Sequence, residues 1–235
     1  MDLAKAPKRI KNDGLKDVIV KISFKPELSR VALEQKIESG LSSSGFNYVK
    51  YSMSDAKNYK DDHKKYFLAV DEYKLMIEEE SVLFNIVDKY PGWNNYHTFI
   101  DRVMGFIPQL HFSGVSINYI SSFDNLRIFD YLDKGMDLCA ISGCMGSELK
   151  YSFVEKDKDG RTAFVDVLLV NNKIIPRIQL DPVSCINIKV QCSAQIEWSG
   201  ETMLKFLSFI HAIEWKVFIE AFKRSFFEKR GAVYE

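Results

Sequence analysis

The sequence has no surplus of either charge. Lysine plus arginine number 32, aspartate plus glutamate number 32, and the formal net charge is zero. Proteins whose main work is gripping nucleic acid usually carry a surplus of cations to neutralise phosphates. An electrostatic membrane anchor needs the same surplus. The balance disfavours both classes, although it leaves room for a local basic patch. No secretory leader is expected either, because the first residues, Met-Asp-Leu-Ala-Lys, are polar. The longest apolar stretch, Met203 to Phe222, is interrupted by Lys205, His211, Glu214, Lys216 and Glu220. Those groups would be costly in hydrocarbon, so no membrane span is expected.

Cysteine is sparse and unpatterned. Cys139, Cys144, Cys185 and Cys192 form no Cys-x-x-Cys, and no histidine stands beside them at zinc-ligand spacing. Cys192 is in phase with Ile186, Ile188 and Val190, which reads as a small core residue. Reduced thiols in a cytoplasmic protein are the expectation. The usual catalytic signatures are missing as well. There is no Gly-x-x-x-x-Gly-Lys, no Gly-x-Gly-x-x-Gly, no His-Glu-x-x-His and no Gly-x-Ser-x-Gly. Gly143-Cys144-Met145-Gly146 is too short and too apolar to cradle a phosphate and reads as a turn. No metal and no cofactor are expected. Asp61, Asp62 and His63 fall in a charged run from Asp55 to Lys65 that reads as a solvated hairpin tip.

What the chain does have is apolar material: 46% of its 235 residues are hydrophobic and 13% aromatic. A dense core follows, and global disorder is excluded. Val18, Val20, Ile22 and Phe24 alternate with more polar neighbours, which predicts a strand ended by Pro26. Ser29 is placed to cap a helix through Val31, Leu33, Ile37 and Leu41, closed by Gly45. Strands are expected over Phe46–Met53, Tyr66–Val70, Tyr73–Glu78 and Val82–Val87. Tyr96, Phe99, Ile100, Val103, Met104 and Ile107 follow the i, i+3, i+4, i+7 spacing of one buried helix face. The second half opens on a strand through Val115, Ile117 and Tyr119. A short helix near Leu126–Leu132 follows, and residues 133–146 give no clear pattern. Strands follow at Leu149–Val154, Phe164–Val170 and Ile186–Cys192. The Asp159-Gly160 pair marks a hairpin between the first two. A last helix runs from Gly200 to about Lys229.

The two halves read alike: strand, helix, several antiparallel strands, tryptophan, long helix. Trp93 and Trp198 are 105 residues apart (198 − 93), and Phe24 and Phe123 are 99 apart (123 − 24). The expected fold is therefore α+β. Residues 1–16 form a lead-in, and residues 17–112 and 113–235 form two similar halves of one compact body. Strand–helix–antiparallel strands–helix in tandem is the layout of TATA-binding-protein-like and helix-grip-like folds. There a curved antiparallel sheet carries two long helices on one face.

Few residues carry chemistry. Tyr66, Tyr73, Tyr151 and Phe153 could offer bases a stacking platform, but aromatics favour strands for packing alone. Lys223, Arg224, Lys229 and Arg230 fall near the end of the last helix, where cations complement its dipole. His211 and Glu214 are harder to set aside. They point into the apolar stripe of Met203, Leu207, Ile210, Val217, Phe218, Ala221 and Phe222. Ionisable groups there need partners. Either they form a structural pair, or they line a pocket where His211 acts as acid or base. Asn118, Tyr119 and Tyr151 are the candidate binding residues.

Four segments taken together resemble a sporadically distributed, uncharacterised family of bacterial and archaeal proteins of about this length. They are Leu15-Lys16-Asp17-Val18-Ile19-Val20-Lys21-Ile22-Ser23-Phe24, Tyr90-Pro91-Gly92-Trp93, Ile117-Asn118-Tyr119-Ile120, and Ile210-His211 with Phe218. That family usually carries Arg–Tyr and a later Asn in the middle strand, where this chain has Asn118–Tyr119 and Ser121. The patchy distribution resembles that of phage-defence and toxin–antitoxin components. The expected function is that of a non-catalytic partner-binding protein of such a system, with a protein partner or further copies of itself. Two alternatives stand beside it. One is an enzyme or small-ligand binder with a pocket near His211 and Glu214; the other is a nucleic-acid binder using the free sheet face.

Overall fold

The architecture was taken from a computed structural model, which describes residues 7, 9–10, 14–53, 65–86, 90–108, 110–124, 126, 128–133, 148–156, 160–173, 183–193 and 200–234. In chain order the elements are β1 (Arg9–Ile10), β2 (Leu15–Phe24), α1 (Arg30–Ser43), β3 (Tyr48–Met53), β4 (Lys65–Val70), β5 (Tyr73–Ile77), β6 (Ser81–Ile86) and α2 (Trp93–Met104). Then come β7 (Phe112–Asp124), a 3-10 turn (Ile128–Tyr131), β8 (Glu148–Lys156), β9 (Thr162–Lys173), β10 (Val183–Ser193), α3 (Gly200–Ala221), α4 (Arg224–Lys229) and β11 (Ala232–Val233). The protein is α+β. Among the described residues, nine strands form one open antiparallel sheet in the order β3-β4-β5-β6-β2-β7-β10-β9-β8, with three long helices, α1, α2 and α3. β1 and β11 make a separate ribbon, Arg9 opposite Val233 and Ile10 opposite Ala232. None of the described helices is long and apolar enough to cross a membrane.

Two compact units divide the chain. One takes Met1–Asp17, Asn118–Val190 and Ile210–Glu235; the other takes Val18–Ile117 and Gln191–Phe209. The boundary falls inside elements: β2, β7, β10 and α3 each have residues in both units.

The unit built on Val18–Ile117 shows why alternation makes a sheet with one buried face. Val18, Val20, Ile22 and Phe24 are buried, and so are Val82, Phe84 and Ile86, and Tyr73, Leu75 and Ile77. The register brings them into rows, with Val20 opposite Phe84 and Leu75 opposite Phe84. α2 lies on that face. Its Tyr96 hydroxyl donates to the carbonyls of Val18 (3.2 Å) and Phe84 (2.8 Å), and its Phe99 ring stacks 3.9 Å from Tyr73. α1 buries Leu33, Ile37 and Leu41 on the same side. Lys50 of β3 reaches it, at 2.7 Å from Glu38 and 3.3 Å from Glu34. The Ser29 side chain accepts from the Ala32 amide, as an N-cap should. At the other end Gly45 takes a φ of +76°. The amides of Gly45 and Phe46 bond back to the carbonyls of Ser42 and Leu41, a full Schellman closure. Val31, assigned to the apolar stripe by spacing, is instead 53% exposed.

In the other unit the odd positions of β7, Tyr119, Ser121 and Phe123, are buried, and β9 buries Ala163, Val165, Val167 and Leu169. Nine consecutive pairs join β8 to β9, from Glu148 opposite Val170 to Lys156 opposite Thr162. The core ends in an aromatic cluster of Phe123, Phe218, Phe222, Phe226 and Phe227; Phe222 and Phe226 stack at 4.3 Å.

Two sequence expectations change here. The short helix near Leu126–Leu132 is a single 3-10 turn. The last helix does not run unbroken to Lys229: α3 stops at Ala221 and α4 starts at Arg224. The Ala221 carbonyl accepts from the Asp133 amide, and the Lys223 amide donates to Tyr131 at 2.7 Å. Backbone groups that would have continued the helix bond to residues 131–133 instead. Phe24 and Phe123 are both buried. Trp198, the run Asp55–Lys64 and residues 134–146 lie outside the described residues.

Candidate functional site

The site is assembled by the stretch of α3 from Ile210 onward and the stretch of β7 from Asn118 onward. Residues three apart on a helix share a face, so His211 and Glu214 stand one above the other. Tyr119 belongs to the buried row of β7. The structure joins all three. The Tyr119 hydroxyl lies 2.9 Å from His211 Nδ1, and the two rings stack with centroids 5.6 Å apart. Glu214 Oε2 lies 3.5 Å from the same nitrogen. The His211 side chain is 22% exposed and that of Glu214 is 6% exposed, so the carboxylate is sealed and the ring is half-buried.

Chemically this is a short relay. A neutral imidazole with Nδ1 free accepts from the Tyr119 hydroxyl. A protonated one points Nδ1–H at both the Tyr119 oxygen and the Glu214 carboxylate. The arrangement can hold a proton and fix the ring orientation.

The other two candidate binding residues lie apart from this relay. Asn118 neighbours Tyr119 in the strand, so its side chain leaves the opposite face. Its Oδ1 is buried without a hydrogen-bond partner among the described residues. Tyr151 stands on β8 opposite Val167, stacked on Phe153 at 6.2 Å. Its hydroxyl is also buried without a described partner, and its pKa is pushed up to about 12 by burial first and by the nearby Glu220 charge second. Beside it Lys216 bonds Glu155 at 3.0 Å, and that hydrogen bond is the main reason the ammonium is held above its usual range. His211 and Glu220 are nine positions apart, which is half a turn around the helix at 100° per residue. Tyr151 therefore belongs to the opposite flank of α3 from Tyr119.

Of the four aromatics of the stacking platform, Tyr151 and Phe153 are neighbours on β8. Tyr73 is buried against Phe99 and Tyr96, and the Tyr66 side chain lies outside the described residues. Asp61, Asp62 and His63 also lie outside them. Among the described residues no three His, Cys, Asp or Glu side chains come together as a metal site.

The bond that matters most, Tyr119 to His211, spans 92 residues of chain. The one signal pointing to it is shared by both ends: each is a polar-tipped ring in an otherwise apolar stripe. No family model matches the chain, and no curated protein matches it.

Proposed function

We propose that this chain is a non-catalytic protein that binds another protein through the sheet surface opposite its helices. One observation carries the reading. On the β8–β9 surface that faces away from the Tyr151 row, Val154 and Phe164 stand opposite each other, 50% and 47% exposed. Around them are the exposed Lys150 and the Ser152–Asp166 hydrogen bond (2.6 Å). An apolar centre with a polar rim is the anatomy of a transient protein interface. The zero net charge fits a protein partner better than a polyanion. Support for placing that partner in a phage-defence or toxin–antitoxin pair comes from the resemblance of the four sequence segments. Support for two duplicated halves, as in a TATA-binding-protein-like or helix-grip-like fold, comes from the matching order of elements in sequence. Affinity capture from the native host, read by mass spectrometry, is the test. A stoichiometric protein is expected with the native chain, and its loss is expected with Phe164→Asp. Capture of no protein, or undiminished capture by Phe164→Asp, counts against the reading.

A second reading rests on the Tyr119–His211–Glu214 relay, which supports an acid–base or small-ligand site. Replacing Glu214 with Gln separates the two. An intact melting temperature with loss of the cellular phenotype favours a site; lowered stability with the phenotype retained favours a structural pair.

A further inference from the structure

The surface that demands explanation is the outer edge of β8. In the sheet order β8 has β9 on one side and no described strand on the other. It is nine residues long and pairs with β9 at every position without a bulge. Natural proteins blunt long regular edges with proline, bulges, short strands or lysines, because an unpaired row of amides and carbonyls templates another strand. β8 has no proline and no bulge, only Lys150 and Lys156, and it opposes the second with Glu148 at its other end.

We infer that β8 pairs with β8 of a second copy of this chain, antiparallel and about a two-fold axis through Ser152. The symmetry limits the choices. Residues facing each other across a ladder point to the same side of the sheet, so a two-fold between identical strands must pass through a residue that faces itself. Three such residues lie near the middle of β8. Centring on Phe153 places Lys150 against Lys156 of the other copy, twice. Centring on Tyr151 leaves Glu148 against Val154 and brings no opposite charges together. Centring on Ser152 places Glu148 against Lys156 and Tyr151 against Phe153, each twice. Opposite charges at both ends and aromatic pairs in the middle are the cross-strand combinations that stabilise sheets. Glu148 and Lys156 are both exposed, and the strand they face in their own copy offers Val170 and Thr162, neither of them charged. The Lys150 stem then lies along Val154 of the other copy, covering part of an apolar side chain that is 50% exposed. The Tyr151–Phe153 stack of each copy continues into its symmetry mate.

A strand-sized interface buries less than the roughly 1,600 Å² of a standard stable complex, so the expected dissociation constant is in the micromolar range. Sedimentation velocity of the purified full chain, from about 1 to 100 µM to bracket that range, should show a monomer–dimer equilibrium. Glu148→Lys alone and Lys156→Glu alone each turn two attractive pairs into two repulsive ones, so each should weaken the dimer by about tenfold. The double variant E148K/K156E should dimerise like the native chain. An equal mixture of the two single variants should form heterodimers at native-like affinity, although each associates with itself only about tenfold more weakly. A chain that stays monomeric over the whole range overturns the inference, as do single variants that dimerise undiminished or a double variant that is not restored. An unrelated extended peptide pairing with the same edge would leave the purified chain monomeric and so counts as the first of these. The experiment uses the purified chain alone and leaves Phe164 unchanged, so its outcome is independent of the partner reading above.

Discussion

Glu214 is the most consequential single side chain, because a sealed carboxylate 3.5 Å from an imidazole nitrogen leaves a polar gap when altered. Glu214→Gln keeps the shape and removes the charge. The expected cost is about 1–3 kcal/mol, the usual range for a disturbed buried polar bond. It should appear as a lower urea midpoint with an unchanged slope. Tyr151 gives a pH signature. Its phenol keeps its proton up to about pH 12 in the native state, against 10 for an ordinary tyrosine. Between those values the unfolded chain has lost a proton that the folded chain retains, so stability falls as pH rises. Below pH 10 the two states bind that proton equally and no such slope exists. Tyr151→Phe removes this contribution, so the alkaline limb of its stability curve should be shallower than that of the native protein. Equal limbs in a pH series of urea titrations would show that the hydroxyl is not shielded. His211 and Glu214 were legible in sequence because helix periodicity places two polar residues in one apolar stripe. Their partner Tyr119 was a candidate binding residue, but nothing in the sequence tied it to His211. Which strand a helix lands on is a tertiary fact that periodicity does not encode.

Elements show the same division. α1 announces both its ends chemically, through the Ser29 cap and the positive φ of Gly45. Its interior holds a less visible constraint at Gly40. Alanine is a better helix former than glycine by about 1 kcal/mol, so propensity alone favours Gly40→Ala. A methyl group there would overlap the Phe106 ring near its attachment to the chain. Overpacking of that kind costs about 1–3 kcal/mol. Gly40→Ala should therefore lower the thermal midpoint, and Gly40→Ala combined with Phe106→Leu should recover part of the loss. The break between α3 and α4 was illegible for a different reason. The sequence from Ala221 to Arg224 has no proline or glycine, and aromatic residues continue at helical spacing through it. The interruption is imposed from outside, by hydrogen bonds that Tyr131 and Asp133 offer to the backbone. Strand positions were read well because one-sided burial leaves a period of two in the residues themselves.

At the scale of the molecule, the class α+β with a large antiparallel sheet follows from counting alternating and helical segments. The allocation of segments to units does not. Residues 191–209 belong with Val18–Ile117, although a long stretch of the other unit separates them in sequence. A fragment ending at Ile117 lacks that contribution. It is expected to give poorly dispersed amide resonances and a broad, weakly cooperative urea transition, and sharp native-like dispersion would refute this. The small β1–β11 ribbon has its own consequence. Arg9 pairs with Val233 and Ile10 with Ala232, so a ribosome adds the two strands of the ribbon more than 200 residues apart. Non-local pairings wait on the last segment they require. During synthesis β1 must therefore travel unpaired while everything between is made, and the ribbon can close only once Val233 has left the exit tunnel.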